Sequence, residues 1–438
     1  MFSLCRLVAR QSQAASASAS ATSRLFLVRN LHATTPTSYA EMKRRPLPTT
    51  TSIKYTIPTD PFLLAKKFQQ VSGQGKLDDA VAIVMQSKSK SQSNIVWNLV
   101  IDAYAKTGRL SRALRAFTEM RRRGFKPTPT TFTAIFKACA LSDSENSLEI
   151  AQDAYDSMER HGVKPTIISV NSLLSVYLRK HNVEAMLSKF NELPQEGPLA
   201  PSLATYTMLL SALRRELQLK LDDLKAKPKK PTDVIDKDNE FVYRRRMALK
   251  KEHVHDAFSA LINTWSAFAD DAVHRIDSRP AETSLLGIDA HIVNIVLKAC
   301  HSVYSENRAL GRKGLRVAEQ VYGLDQLDKT QQTSAKQKNA SGSNSSVSLA
   351  TRIRQNAPEP DSDAANAQKD GLGQVVDDTT VGLVLDLCMR DDQPTKAVRF
   401  WRSIETNFEP MFTPSQETVQ KYQTILSAHK QRSNQVKE

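Results

Sequence analysis

Between residues 94 and 128, apolar positions recur at spacings of three and four in two blocks. Val96, Leu99, Val100, Ala103 and Tyr104 make the first stripe, and Ala113, Leu114, Phe117 and Met120 the second. Such spacing lines one face of an α-helix. Gly108 separates the blocks, and Gly124 with Pro127 ends the second. Glycine accepts a left-handed cap, and proline cannot continue a helix. The pattern predicts a helical hairpin with too little core to stand alone, so it requires neighbours of its own kind.

The neighbours are present. Thr133 lies 35 residues after Asn98 in the same local context, Asn171 a further 38 and Thr207 a further 36. The closing turn GFKPT at 124–128 recurs as GVKPT at 162–166. The second helices share a small residue followed four positions later by an aromatic: Ala113/Phe117, Ala151/Tyr155, Ala318/Tyr322 and Ala397/Trp401. The small residue allows close helix approach, and the aromatic fills the groove one turn on. A period near 35 with this pattern predicts an all-α solenoid of helical hairpins.

The helix openings IVWN, TTFT, ISVN and ATYT, the run GRLSRALRAFTEM and the turns GFKPT and GVKPT resemble the pentatricopeptide repeat (PPR) family. Tetratricopeptide repeats share the period and the Ala-x-x-x-Phe pair. The Gly-hydrophobic-Lys-Pro turn, with Asn or Thr at the fifth position of the first helix, favours the former. The resemblance implies a right-handed α-solenoid with loop insertions. It also implies a non-catalytic protein of organellar RNA metabolism that binds single-stranded RNA. The sequence is most similar in look to fungal mitochondrial PPR factors with few repeats, some of which act in small-subunit rRNA maturation.

Along the chain, residues 1–45 read as a mitochondrial presequence. Arg6, Arg10, Arg24 and Arg29 are spread among Ser, Ala, Leu and Phe, and no acidic residue precedes Glu41. That predicts a matrix protein. Residues 46–60 read as a Pro/Thr-rich linker. PPR repeats are expected over 61–225, at 94–128, 129–166 and 167–202 after a degenerate first one with Ala65 at its fifth position. Residues 226–325 read as divergent repeats with a basic insertion, 326–370 as a disordered insertion too poor in large apolar residues to fold, and 371–438 as C-terminal repeats. In the fourth repeat the opening helix is expected to run on toward Lys227 and a second to cover 242–272. The next register residue, Asn294, lies 87 positions after Thr207, too far for one ordinary repeat. Either this repeat has elongated helices and a loop, the favoured reading, or a divergent repeat hides inside.

In the family, the fifth residue of each first helix and the last residue of the repeat face one base. Amides, hydroxyls and carboxylates at a fixed height in a groove match the edge of a splayed base. Carried over, the base-reading pairs are Asn98/Thr128, Thr133/Thr166, Asn171/Ser202, Thr207/Asp289 and Asn294/Asp377. Gly382/Ser415 is in register, but glycine cannot read a base. The bland alternative is that these residues only solvate the groove. By the family's rule Asn171/Ser202 suits C, Thr207/Asp289 suits G and Asn294/Asp377 suits U. The second position sandwiches bases in the family, and there Ile95 and Ile168 offer apolar faces. The residues just before the fifth (Trp97, Phe132, Val170, Tyr206, Val293) read as core.

The formal net charge of +15 over 438 residues fits a polyanionic partner. Lys229, Lys230, Arg244, Arg245 and Arg246 are candidate phosphate contacts, while Arg121–Arg123 read sooner as a solvated helix end complementing its dipole than as a phosphate contact. Cys5, Cys139, Cys300 and Cys388 stand far apart, with neither a zinc spacing nor a disulfide framework. The deaminase signature H-x-E with P-C-x-x-C is missing. His253 and His255 have no nearby third ligand, and the pairs Asp270-Asp271, Asp377-Asp378 and Asp391-Asp392 fall where helix caps are expected. No enzyme activity, cofactor or metal is expected, and no apolar run approaches the roughly 18 residues of a membrane span. The expected partner is single-stranded mitochondrial RNA, messenger or ribosomal precursor. The second reading is a structural or assembly factor of the mitochondrial ribosome, using the repeats as a protein scaffold.

Overall fold

The computed structural model describes residues 55–226, 237–278, 288–322, 376–408 and 413–435. Among these, every regular element is helical. The chain divides into two compact units, the first ending at Lys164 and the second starting at Pro165. The presequence and insertion assignments at 1–45 and 326–370, with most of the 46–60 linker, lie outside the described residues.

The first unit contains α1 (Pro61–Gly73), α2 (Leu77–Gln86), α3 (Asn94–Lys106), α4 (Leu110–Arg122), α5 (Pro129–Leu141) and α6 (Ser147–Arg160). Each odd helix pairs with the helix after it, and α1, α3 and α5 also pack on one another in succession. This is the packing of an α-solenoid of helix-turn-helix repeats. The core follows most of the sequence stripes: Val96, Val100 and Tyr104 on α3 and Ala113, Leu114, Phe117 and Met120 on α4 are buried, while Leu99 and Ala103 are half-buried. Trp97, Phe132, Val170, Tyr206 and Val293, the residues before each fifth position, are buried as well.

The turns repeat one hydrogen bond. Arg109 N–H reaches the Tyr104 carbonyl at 3.0 Å, Phe125 the Met120 carbonyl at 3.1 Å and Val163 the Met158 carbonyl at 3.0 Å. Such a six-residue closure needs a left-handed residue at the helix end. Gly108 (φ 68°), Gly124 (φ 87°) and Gly162 (φ 70°) supply it. Two later hairpins make the same bond, Asn182 to Tyr177 and Gln393 to Cys388, around His181 (φ 57°) and Asp392 (φ 59°). A side chain in that region costs roughly 1 kcal/mol or more, so these two turns are held by the helices around them.

The second unit contains α7 (Ile167–Arg179), α8 (Val183–Asn191), α9 (Leu203–Lys225), α10 (Lys237–Ser278), α11 (Ala290–Tyr304), α12 (Arg308–Gly311), α13 (Lys313–Tyr322), α14 (Asp378–Arg390), α15 (Pro394–Phe408) and α16 (Gln416–Gln435). Here α7, α9, α11, α14 and α16 pack in succession. The pair α9/α10 is elongated, at 23 and 42 residues. The extra turns of α9 bury Leu217, Leu221 and Leu224, and the facing stretch of α10 buries Val254, Phe258 and Leu261. Near the hairpin base, Tyr206 packs edge-on against Phe190 and Phe268 and donates its hydroxyl to Asp271 at 3.1 Å. Asp271 is held in turn by Arg275.

The short helix α12 crosses α11 closely. A Cβ at Gly311 would lie 2.8 Å from the Cα of Tyr304, where only glycine fits. Gly311→Ala is expected to destabilise the second unit by about 1–3 kcal/mol through backbone displacement. A chemical-denaturation midpoint equal to wild type would refute this.

Candidate nucleic-acid interface

Each repeat of the first helices opens on an extended residue that caps the helix. Thr128, Thr166, Ser202, Asp377 and Ser415 all occupy the N-cap position. Ser, Thr and Asp suit it because their side-chain oxygen takes a free amide of the first turn. These are the last residues of the repeats, so the fold itself sets their position at the start of a first helix.

Three of the fifth residues reach the cap of the next first helix in the stack. Asn98 Nδ2 donates to Thr128 Oγ1 at 3.3 Å, and its Oδ1 accepts from Thr131 Oγ1 at 2.6 Å. Asn171 Nδ2 donates to Ser202 Oγ at 3.2 Å, and its Oδ1 accepts from Thr205 Oγ1 at 2.7 Å. Asn294 Nδ2 donates to both Asp377 oxygens at 2.9 and 3.0 Å, and its Oδ1 accepts from Thr380 Oγ1 at 2.8 Å. The network closes across each repeat boundary, since the cap side chain and the threonine three residues on are 2.6–3.1 Å apart. Thr131, Thr205 and Thr380 are fully buried. Asn98 and Asn171 are half-buried, and Asn294 is only 5% exposed.

Burial pushes the Asp377 carboxyl up, but hydrogen bonds from Asn294 and Thr380 outweigh it and hold it below its ordinary value of 3.8. It is therefore a carboxylate at neutral pH, able only to accept.

The threonine-led positions behave differently. Thr133 Oγ1 donates to the Pro129 carbonyl and Thr207 Oγ1 to the Leu203 carbonyl, each one turn back in its own helix. Thr166 caps α7, and it belongs to the second unit while Thr133 belongs to the first. Thr207 and Asp289 are not brought into hydrogen bonding; Asp289 instead accepts from the His291 amide. At Gly382 the missing side chain is bypassed. Asp378, one turn earlier, accepts from both the amide and the hydroxyl of Ser415 at 2.9 Å.

At the second helical position, Ile95 and Ile168 are 68% and 67% exposed. Phe62, at the same position of α1, is 74% exposed. Sequence reasoning passed over it, although Ala65 at the fifth position already fixed the register. One turn past Asn98, Asp102 takes Lys137 from α5 at 2.7 Å and Lys106 at 2.9 Å. Burial pushes its carboxyl up, and the hydrogen bonds from the two lysines outweigh it and leave it lowered.

Lys229 and Lys230 lie outside the described residues. Arg244, Arg245 and Arg246 are exposed on α10, beside exposed Val242, Tyr243 and Leu249. Lys250 pairs with Asp223 at 2.9 Å. Among the described residues no group of three His, Cys, Asp or Glu side chains is placed to hold a metal, and no helix is long and apolar enough to cross a membrane. Burial pushes the Cys300 and Cys388 thiols up to about 12, so neither is a thiolate at neutral pH.

Comparison with known proteins fits this register. The PPR repeat family model matches residues 92–141, and the pentatricopeptide repeat domain model matches residues 154–215. The chain is similar to the Arabidopsis thaliana pentatricopeptide repeat-containing protein At5g66520, at 29% identity over 150 residues, 34% of this chain and 23% of that one. It is similar to the mitochondrial pentatricopeptide repeat-containing protein At1g77170 of the same plant, at 30% identity over 165 residues, 37% of this chain and 34% of that one. The match thus spans between about a quarter and a third of those relatives' length. Among solved structures, the PPR domain of Arabidopsis thaliana protein-only RNase P 1 in complex with tRNA aligns at TM-score 0.32 and 15% identity, over 55% of this chain and 99% of that one. The pentatricopeptide repeat protein PPR10 in complex with an 18-nt psaJ RNA element aligns at TM-score 0.32 and 16% identity, over 85% of this chain and 54% of that one. With two family models seated on its hairpins, and relatives that carry the family's name, this chain contains pentatricopeptide repeats at residues 92–141 and 154–215.

Proposed function

We propose that this chain binds single-stranded RNA in the mitochondrial matrix and acts, without catalysis of its own, in the processing, stability or translation of organellar transcripts, or in small-subunit rRNA maturation. The observation that carries the reading is the repeated placement of Asn98, Asn171 and Asn294 against Thr128, Ser202 and Asp377. A carboxamide held beside an oxygen donor or acceptor, in three of the repeats, matches the edge of one base in each. Ile95 and Ile168 add exposed apolar faces beside the first two of these pairs. The Arg-rich, acid-free start of the chain supports import into mitochondria. Thr133/Thr166 and Thr207/Asp289 are weaker parts of the same proposal, because their side chains bond locally.

The exposed basic and apolar stretch of α10 around Arg244–Arg246 supports a phosphate contact outside the groove. It is also the feature that favours the second reading, a scaffold in mitochondrial ribosome assembly.

The test is selection from a pool of short RNAs by the full chain at two salt concentrations. Enrichment of a motif of about five nucleotides is expected, with Asn98→Ala and Asn171→Ala each weakening it about tenfold, on the order of 1.4 kcal/mol. Binding that follows salt alone, with no motif and no response to either substitution, would replace base reading by the scaffold.

A further inference from the structure

Two successive closing turns of the first unit bring cations together without a counter-ion. Arg121 near the end of α4, Lys126 in the turn that follows and Arg160 at the end of α6 line one open recess of about 300 Å³, walled by the turn 124–127 and by His161. The Arg121 guanidinium sits 5.7 Å over the Phe117 ring, and Phe117 stacks on His161 at 6.0 Å. Burial first, then the nearby charges of Arg121 and Arg160, hold His161 below its ordinary value of 6.5, so both guanidiniums bear on one neutral ring. The His161 Nε2 is buried with no hydrogen-bond partner. Among the described residues no carboxylate pairs with Arg121, Lys126 or Arg160. Glu119, the acid of α4, is taken by Arg122 and Arg123 at 3.8 and 2.8 Å. Helix ends that favour cations account for part of this arrangement. Each C-terminus carries the equivalent of about half a negative charge, so the ends of α4 and α6 together offset roughly one of the three cations. About two positive charges are left facing an open recess.

We propose that this recess is a phosphate-binding site, holding a backbone phosphate of bound RNA beside the slot of Asn98 and Thr128. The choice of RNA as the source rests on the function proposed above. The chemistry follows from the donors. Arg121 and Arg160 offer planar forks that match phosphate oxygens, and Lys126 adds a compact charge on a flexible stem. The recess is open to solvent, so a phosphate within a chain can enter it as readily as a free one. Lys126 stands two residues before Thr128, at most about 7 Å along the backbone, so a phosphate held there belongs to the nucleotide at that slot or next to it. Such a contact adds affinity and fixes register, and it carries no base information. Base reading and backbone holding would then fall to different residues of the same repeat boundary.

The test is the salt dependence of RNA binding by the full chain, measured beside its base preference. Arg121→Gln and Arg160→Gln change exposed side chains and leave the core alone. Each is expected to weaken binding of the selected RNA about threefold at low salt, as for an exposed ion pair. The double variant is expected to lower the slope of log affinity against log salt by about 0.7, the share of one single-strand phosphate. The selected motif should stay that of wild type. Arg122→Gln, which loses a cation paired with Glu119 outside the recess, is expected to have less than half the effect of either. A double variant with wild-type slope and affinity, or an Arg122→Gln effect as large as that of Arg121→Gln, overturns the inference and leaves base reading standing. Inorganic phosphate separates the two sources. If it raises the melting temperature of wild type and not of the double variant, while both bind RNA equally, the recess holds free phosphate and the RNA assignment falls. A wild-type chain that binds no RNA overturns the proposed function, and the phosphate melting shift then decides the recess by itself.

Discussion

Trp97→Ala lowers the stability of the first unit by about 3–5 kcal/mol, the usual range for emptying an aromatic site in a packed core. Trp97 is wholly buried on α3. Its ring lies 6.5 Å from that of Phe125, and the Arg123 guanidinium sits 5.5 Å over it. Its indole N–H donates to Gln92 Oε1 at 3.2 Å, and Gln92 Nε2 in turn donates to the Val84 and Ser87 carbonyls at 2.9 and 3.0 Å. One side chain therefore joins the closing turn of its own repeat to the end of α2. Two effects are lost together, and Trp97→Phe separates them. Phenylalanine keeps most of the apolar contact but leaves the buried Gln92 oxygen without its donor, at about 1–3 kcal/mol. Thermal unfolding followed by circular dichroism should show a transition more than about 10 °C lower for the alanine variant. A shift of a degree or two would mean that the site collapses around the missing ring and that Trp97 does not key the first unit.

The second large effect belongs to Asp391, in the turn between α14 and α15. Its side chain is 1% exposed, yet it gathers Arg312 Nε at 2.5 Å, Tyr304 Oη at 3.1 Å, Arg308 Nε at 3.2 Å and Gln393 Nε2 at 2.9 Å. Tyr304 also donates to the Arg390 carbonyl at 2.8 Å. This carboxylate ties the α14–α15 turn to α11, α12 and the residue between α12 and α13. Removing one partner of a fully buried pair costs about 3–5 kcal/mol. Here both arginines are half exposed and regain water, so Asp391→Asn is expected to cost about 2 kcal/mol.

The pH dependence gives the check. Burial pushes the Asp391 carboxyl up, but hydrogen bonds from Arg312, Tyr304 and Arg308 outweigh it and lower it from 3.8. A carboxyl whose folded value is depressed contributes fully above its unfolded value and loses that contribution as pH falls through the folded one. Denaturant midpoints of wild type and Asp391→Asn should therefore differ at pH 7 and converge below the ordinary carboxylate range. A gap that stays constant down to pH 3 would assign the loss to shape and not to charge.

Much of the helical stack is written in local spacing. The stripes on α3 and α4 and the Ala-x-x-x-aromatic pairs each depend on residues within a turn or two, which is what sequence periodicity reports. The left-handed turns divide on the same line. Gly108, Gly124 and Gly162 announce themselves by residue type, whereas His181 and Asp392 adopt the same conformation with nothing local to mark them. The candidate site divides likewise. Asn98, Asn171 and Asn294 stand out by register, but Thr131, Thr205 and Thr380 look like ordinary capping residues, because their partners lie 33, 34 and 86 positions upstream. Asp378 is hidden in the same way: only the fold shows it reaching Ser415 where Gly382 has no side chain.

The sequence by itself determined the class of the fold, its period and the register of the first helices, since each follows from contacts within one hairpin. Tertiary structure alone decided how the asparagine carboxamides are held, why Asp391 can be buried, and where α12 must carry a glycine. Those depend on atoms brought together across whole repeats, and no local pattern of apolar and polar positions encodes such distances.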